Sequence, residues 1–447
     1  VTLTATEGDL TVGNDITANG RMATLAAGRD IAVAGGIKAP AGGVDVVAGR
    51  DASINGAIDA ALSADVTAKN NATVDAVKGS HVTVTATDGT LVVNGDVTAT
   101  DGDAGLTAGH DVEVAAGTTL SAAMDVNVKA GRDAAIEGAI AATVNARVNA
   151  GHDAKVGAIT AEQGDAIVDA GSNIEMNGDV SANNIYAFAK DESLVSNGVL
   201  AANGEVILNA GTYMRLNNDV KGVRVGAVSI DNMFVDGNIE ATGADIFLMS
   251  NRNATINGNL KANTEVHVDA IDSMSVNGTV DAVTGDAILH ANNALQTNGA
   301  VTAGGDAIIS TERGTLGVYG TVTAAGTATI GSADGDVYVD EDVTADYIVI
   351  STNNGNASVS GGLTAEDSVN VQAGLDASVT GDVVAKGDFI RVTGGEDVLV
   401  KNLTAENGNI KIIAGNNADL RGAAKAKKLN VEATAGTIAS IGTLEAT

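Results

Sequence analysis

The sequence predicts an all-β protein, a single-domain parallel β-solenoid (β-helix) of about 22 three-stranded coils with about 20 residues per coil. Three observations carry this prediction. The chain repeats itself from end to end, its apolar residues alternate with period two, and it is rich in glycine and small aliphatics while nearly free of proline and aromatic rings.

The repeat is visible when segments are laid beneath one another. VDVVAGRDASINGAIDA (residues 44–60), MDVNVKAGRDAAIEGAIAA (124–142) and SVNVQAGLDASVTGDVVA (368–385) share one plan. An alternating aliphatic run closes on Ala-Gly, a turn carries Asp or Asn, a short run ends in Asn-Gly or its equivalent, and a third short run ends in Ala. No long interruption breaks the period, so residues 1–447 are expected to form one continuous array without capping domains.

Period-two alternation belongs to strands, because successive side chains point to opposite faces. In the last of the three segments Val369, Val371, Ala373, Val379, Val383 and Ala385 fall on one side, and Asn370, Gln372, Ser378 and Val384 on the other. A lone unit of this size cannot bury enough apolar surface to offset the entropy of ordering it. Stacking supplies the remainder, since each strand then pairs with its equivalents above and below and the inward Val, Ile, Leu and Ala form a column.

The corners follow. Ala-Gly-Arg-Asp or Ala-Gly-His-Asp stands at residues 27–30, 48–51, 108–111, 130–133 and 150–153, and related turns place Asn71, Asn173, Asn253, Asn293, Asp376 and Asn417 at the same register. Gly and Asx tolerate a left-handed backbone and an Asx side chain can bond a local amide, so a left-handed corner with an Asn/Asp ladder is expected. A second corner is marked by Asn55-Gly56, Asn94-Gly95, Asn177-Gly178, Asn197-Gly198, Asn257-Gly258, Asn277-Gly278 and Asn298-Gly299. Small residues that close strands, such as Ala130, Ala373 and Ala385, suit the tight interior beside a bend.

Composition narrows the function classes. With 56 Gly, one Pro, no Cys, no Trp and 2% aromatic residues, the chain offers little material for a ring-lined pocket and none for disulfide or thiolate chemistry. A formal net charge of -31 repels phosphate backbones, so no nucleic acid partner is expected. No uninterrupted apolar stretch is long enough for a membrane span, and the acidity makes an anionic membrane surface a poor partner, so no membrane insertion is expected.

The charge is unevenly spread. Arg313 is the only Lys or Arg between residues 262 and 385, while Asp334, Asp336, Asp340, Glu341, Asp342 and Asp346 crowd into residues 331–346. Hard cations take several oxygen ligands, which makes these six carboxylates the candidate Ca²⁺ ligands, with a solvated acidic face as the alternative. No other cofactor is expected. Arg421, Lys425, Lys427 and Lys428 form a basic cluster.

No catalytic residues are expected. The coil spacing hardly varies, leaving no long loops to build a cleft, and no Ser/His/Asp grouping, phosphate loop or zinc pattern stands out. The histidines His81, His110, His152, His267 and His290 fall in turns or outside the inward register, and His110 and His152 take the turn position of Arg29, Arg50 and Arg132. An exposed polar corner accounts for them. Thr17, Thr98, Thr160, Thr302, Thr323, Thr344, Thr364 and Thr404 share an outward third-strand position of the kind ice-binding solenoids use, but Lys38, Asp59, Lys221, Glu240, Lys261, Lys425 and Glu445 interrupt the stripe. Ladder threonine with β propensity is the better account.

Repeats such as AGRDIAVAGGIKA (residues 27–39), of the form Ala-Gly-x-Asp-ϕ-x-ϕ-x-Gly-x-ϕ-x-Ala, resemble those of filamentous haemagglutinin-type exoproteins, the two-partner-secreted bacterial adhesins. The resemblance covers nearly the whole chain. It implies a right-handed parallel β-helix, export through an outer-membrane partner, an extracellular or cell-surface location and a role as an extended adhesin or matrix fibre.

Residues 1–6 already follow the repeat and residues 443–446 close on a third-strand motif, which suggests either a segment of a longer shaft or ends that stack on neighbouring copies. Head-to-tail stacking into a homopolymer would use the inward Val1, Leu3 and Leu444, with Lys425, Lys427 and Lys428 helping to select the contact. The expected function is therefore a secreted, non-catalytic filament, shaft or biofilm-matrix protein. The alternative is a surface module that binds Ca²⁺, carbohydrate such as cell-surface glycans, or ice.

Overall fold

A computed structural model describes all residues from Val1 to Thr447. The chain divides into two compact units, Val1–Gly222 and Val223–Thr447. Both are all-β and contain no helix; parallel strands stack turn upon turn, with about 20 residues per turn and about 22 turns in all.

In the first unit, one turn consists of strands Gly43–Ala48, Ala52–Ile54 and Ile58–Ala60, and the next of Ala64–Ala68, Ala72–Val74 and Val77–Gly79. Val46 lies beside Val66, Ile54 beside Val74 and Ile58 beside Val77, so like residues stack on like. The second unit repeats the pattern. Val268 lies beside Leu289, Met274 beside Leu295 and Val280 beside Val301.

The inward column is dry and aliphatic. Val369, Val371, Ala373, Val379, Val383 and Ala385 are all buried, as the alternation predicts, whereas Asn370, Ser378 and Val384 are half-buried and Gln372 is exposed. At the strand-closing position the second unit departs from alanine. Ser332 and Thr352 are buried there, each hydroxyl accepting from an amide of its own corner, that of Gly335 at 2.8 Å and of Gly355 at 3.0 Å. Each also donates one turn back, to the carbonyls of Gly314 at 3.0 Å and Gly335 at 2.7 Å. The hydroxyls thus satisfy backbone groups that these corners turn inward, where an unpaired polar atom would be costly.

The corners correct the sequence reading in three respects. Gly117 alone has a positive φ, of 80°, and no other residue does, so the Ala-Gly-x-Asp corners are not left-handed. Their glycines are required by close approach instead. A Cβ on Gly131 would collide with the carbonyl oxygen of Gly109, one on Gly151 with that of Gly131, and one on Gly171 with that of Gly151. The Asx side chains do not bond locally either; they reach the next turn. Asn293, finally, is one residue out of register with Asn253: Asn253 caps the amide of Ser273, which pairs with Ala294, so Asn293 falls beside Asp272.

Candidate functional site

Corner ladders dominate the polar surface. After the first strand of each turn in the first unit, Asp51 accepts from the amide of Asn71 at 3.0 Å, Asp133 from Asp153 at 3.1 Å and Asp153 from Asn173 at 3.1 Å, all about one repeat apart. After the second strand, side-chain amides stack directly: in the second unit Asn298 donates to Asn277 at 2.6 Å, Asn277 to Asn257 at 2.7 Å and Asn257 to Asp236 at 2.6 Å. A third corner, which the sequence reading missed, carries Asp103, Asp125, Asn145 and Asp165, each bonded to the amide of the next at 2.9–3.0 Å. Much of the chain's acidity is therefore structural, with carboxylates accepting from amides one turn above.

The basic residue of Ala-Gly-Arg-Asp reads the same ladder. Arg50 reaches Asp30 of the preceding turn with Nε at 2.6 Å and lies 3.7 Å from Asp51 of its own turn. Arg132 does likewise with Asp111 at 2.7 Å and Asp133 at 3.3 Å. These guanidinium bonds hold the carboxyls of Asp30 and Asp111 below the usual carboxylate range. His152 takes that place between Asp133 and Asp153, with Nδ1 3.1 Å and 3.2 Å from their carboxylates.

The six candidate Ca²⁺ ligands are spread around three corners. Asp334 and Asp336 precede strand Val337–Val339, Asp340, Glu341 and Asp342 follow it, and Asp346 sits at the corner where Val343–Thr352 bends. Three of them serve ladders: Asp336 accepts from the amide of Asn356 at 2.8 Å, Asp342 from that of Gly362 at 2.7 Å, and Asp334 from the side chain of Asn354 at 2.7 Å. Asp340 and Glu341 are exposed.

Of the residues proposed for a polymer contact, Leu3 lies on strand Thr2–Ala5, Leu444 on Leu444–Ala446, Lys428 on Lys428–Ala433, and Lys425 on Ala424–Ala426, which is paired on both sides. Thr2–Ala5, next to Val1 and containing Leu3, pairs only with Met22–Ala27, and Leu444–Ala446 pairs only with Ala424–Ala426. Val1 is aligned with the inward register yet 51% exposed, and Leu444 is 48% exposed. Within the basic cluster Arg421 is paired with Asp419 at 2.8 Å and Lys425 lies 3.9 Å from Glu445, while Lys427 and Lys428 are exposed and have no ion pair.

Two further features escaped the sequence reading. In a chain with only five tyrosines, the ring of Tyr319 lies over Gly317, close enough that a Cβ there would come within 2.6 Å of it. Gly317 is flanked in register by Gln296 and Tyr338. Tyr319 and Tyr338 are 40% and 37% exposed, and Tyr319 walls a shallow hollow of about 200 Å³ that Ser275 and Gln296 also line. Elsewhere His267 is held between Glu265 at 3.2 Å and Asp269 at 3.0 Å, with its ring edge-on to Phe247, and the bond to Asp269 raises its pKa.

The outward threonines form a single file. Thr302, Thr323, Thr344 and Thr364 are consecutive in register, bounded by Asp281 on one side and Val384 on the other. One residue per turn makes a stripe, with charge close by, and no flat two-dimensional array.

The fold and its ladders define a parallel β-solenoid repeat protein. No protein-family model, curated protein or solved structure matches the chain.

Proposed function

We propose that the chain is a non-catalytic structural protein of an extracellular or cell-surface filament or shaft, of the filamentous haemagglutinin type, with a role in adhesion or biofilm matrix. The observation that carries this reading is the unbroken stacking of like turns within each unit, tied turn to turn by paired strands and corner ladders. Parallel pairing of this kind extends a stack by a whole coil at a time. In the proposal a second copy of the chain supplies further turns, giving a homopolymer by end-to-end stacking.

Electron microscopy of the purified chain tests it. Fibres are expected, and Leu3→Asp combined with Leu444→Asp should reduce them to single particles; fibres unchanged by these substitutions would reject the stacking contact.

The Tyr319 and Tyr338 platform favours carbohydrate binding as a second reading. Exposed rings stack on sugar faces, and Gln296 and Ser275 offer polar groups beside them. The acidic neighbours Asp336 and Asp340 select against anionic glycans and point to neutral ones. A glycan array with the wild type and Tyr319→Ala separates this reading from a purely structural role.

A further inference from the structure

We propose that Asp133, His152 and Asp153 form a binding site for a divalent transition metal of the Zn²⁺ class. One ligand atom from each of the three residues lies within 4.8 Å of the other two. His152 Nδ1 stands 3.1 Å from Asp133 Oδ1 and 3.2 Å from Asp153 Oδ2. Metal–ligand bonds of about 2.0–2.1 Å in a tetrahedron require ligand edges of about 3.3–3.4 Å, so the two nitrogen–oxygen edges need open by only a few tenths of an ångström to admit an ion. His152 is exposed and the two carboxylates are half-buried, which leaves the fourth position to water.

The repeat itself supplies an independent argument. At positions 50 and 132 of this register the residue is arginine, and its guanidinium bridges the Asp of the preceding turn and the Asp of its own; at His110, the other histidine here, the preceding turn carries Thr90 rather than Asp. A guanidinium carries a fixed charge and no lone pair, whereas an imidazole offers a nitrogen donor to a metal. Replacing arginine with histidine therefore keeps the two carboxylates and exchanges the built-in cation for a ligand.

The ladder also orients the carboxylates. Asp133 Oδ1 accepts from the amide of Asp153 at 3.1 Å. Asp153 Oδ1 accepts from the amide and side chain of Asn173 at 3.1 Å and 3.0 Å, leaving Oδ2 facing the imidazole. Arg132 occupies the other oxygen of Asp133 at 3.3 Å and is itself bound by Asp111. These are the outer contacts that fix ligand direction in metal centres. His267 lacks this arrangement, because its two nitrogens face different carboxylates on opposite sides of the ring.

Isothermal titration of the full chain with Zn²⁺, with nitrogen ligation followed by X-ray absorption on the loaded protein, tests the proposal. One saturable Zn²⁺ with a histidine nitrogen in its shell is expected. His152→Arg restores the residue used at positions 29, 50 and 132, so its fold is secure. It should weaken binding at least about tenfold, as should Asp153→Asn. His267→Asn should leave binding unchanged. Equal Zn²⁺ affinity in wild type and His152→Arg, or loss of binding on His267→Asn alone, would overturn the assignment.

Discussion

Gly131→Ala separates two explanations of the corner glycines. If glycine were needed for a left-handed backbone, a methyl group would cost about 1–2 kcal/mol from local sterics and asparagine would be tolerated. The structure gives another reason: the new Cβ would overlap the carbonyl oxygen of Gly109 in the turn below. To relieve the overlap the corner must lift, and it is tied down by Gly131 N to Ala108 O at 3.0 Å, Arg132 N to His110 O at 2.9 Å and Asp133 N to the Asp111 carboxylate at 3.2 Å. Losing two or three such bonds, with the strain of overpacking, amounts to roughly 2–4 kcal/mol. Gly117 is the internal control, with φ 80° and nothing within 4 Å of an added Cβ. Alanine there should cost about 1–2 kcal/mol and asparagine less. Hydrogen exchange read by mass spectrometry is the appropriate assay, because opening in a repeat array is confined to neighbouring turns. The Gly131→Ala loss should appear in peptides covering residues 104–175. Protection there within about 0.5 kcal/mol of wild type, or a larger loss from Gly117→Ala, would refute the close-approach argument.

The second-corner amide ladder predicts that Asn277→Ala, which removes one donor and one acceptor, lowers local stability by about 1–2 kcal/mol in hydrogen exchange. Asn277→Asp places a carboxylate against the oxygen of Asn257, so its deficit should shrink as the pH falls below about 4 and the new group protonates; a deficit independent of pH would contradict the ladder. His267 faces Asp269 on its own strand and Glu265 just before it, and has Phe247 and Ile288 as register neighbours, with His290 beside Asp269. Its pKa is raised, so its contribution is complete below the unfolded value of 6.5 and is lost as the pH rises through the folded value. NMR titration should place its midpoint above 6.5, and Asp269→Asn should lower it. Tyr186 donates to Glu205 at 2.6 Å and its pKa is pushed up to about 12. Tyr338 and Tyr347 are also raised by neighbouring aspartates, but ultraviolet titration should show Tyr186 ionising last, with Glu205→Gln bringing it back toward 10. The stability this bond contributes is present below pH 10 and lost as the pH rises through about 12.

The fold was legible because its two periods are written directly in the chain. Inward Val369, Val371 and Val379 follow from alternation, and the pairing of residue 46 with 66 follows from the repeat. The corners were legible as positions and illegible as bonds. Asp133 was visible as a ladder member, but its partner amide belongs to Asp153, and no local turn rule points there. The left-handed reading failed for the same reason, since the atom that excludes a Cβ from Gly131 lies in another turn. Ser332 and Thr352 did leave a signal, a hydroxyl where the pattern asks for alanine, followed three residues later by the glycine whose amide it serves.

The candidate sites show the limit most clearly. Residues 334–346 crowd together in the sequence, yet thirteen residues wind more than halfway around a coil of about 20, so their carboxylates face three corners. Asp133 and His152, nineteen residues apart, come within 3.1 Å. Proximity in a solenoid is therefore vertical, one repeat along the chain. A feature beyond the structural ladder is best sought where one ladder position changes chemical type, as arginine gives way to histidine at 152, or glycine at 317 makes room for the ring of Tyr319.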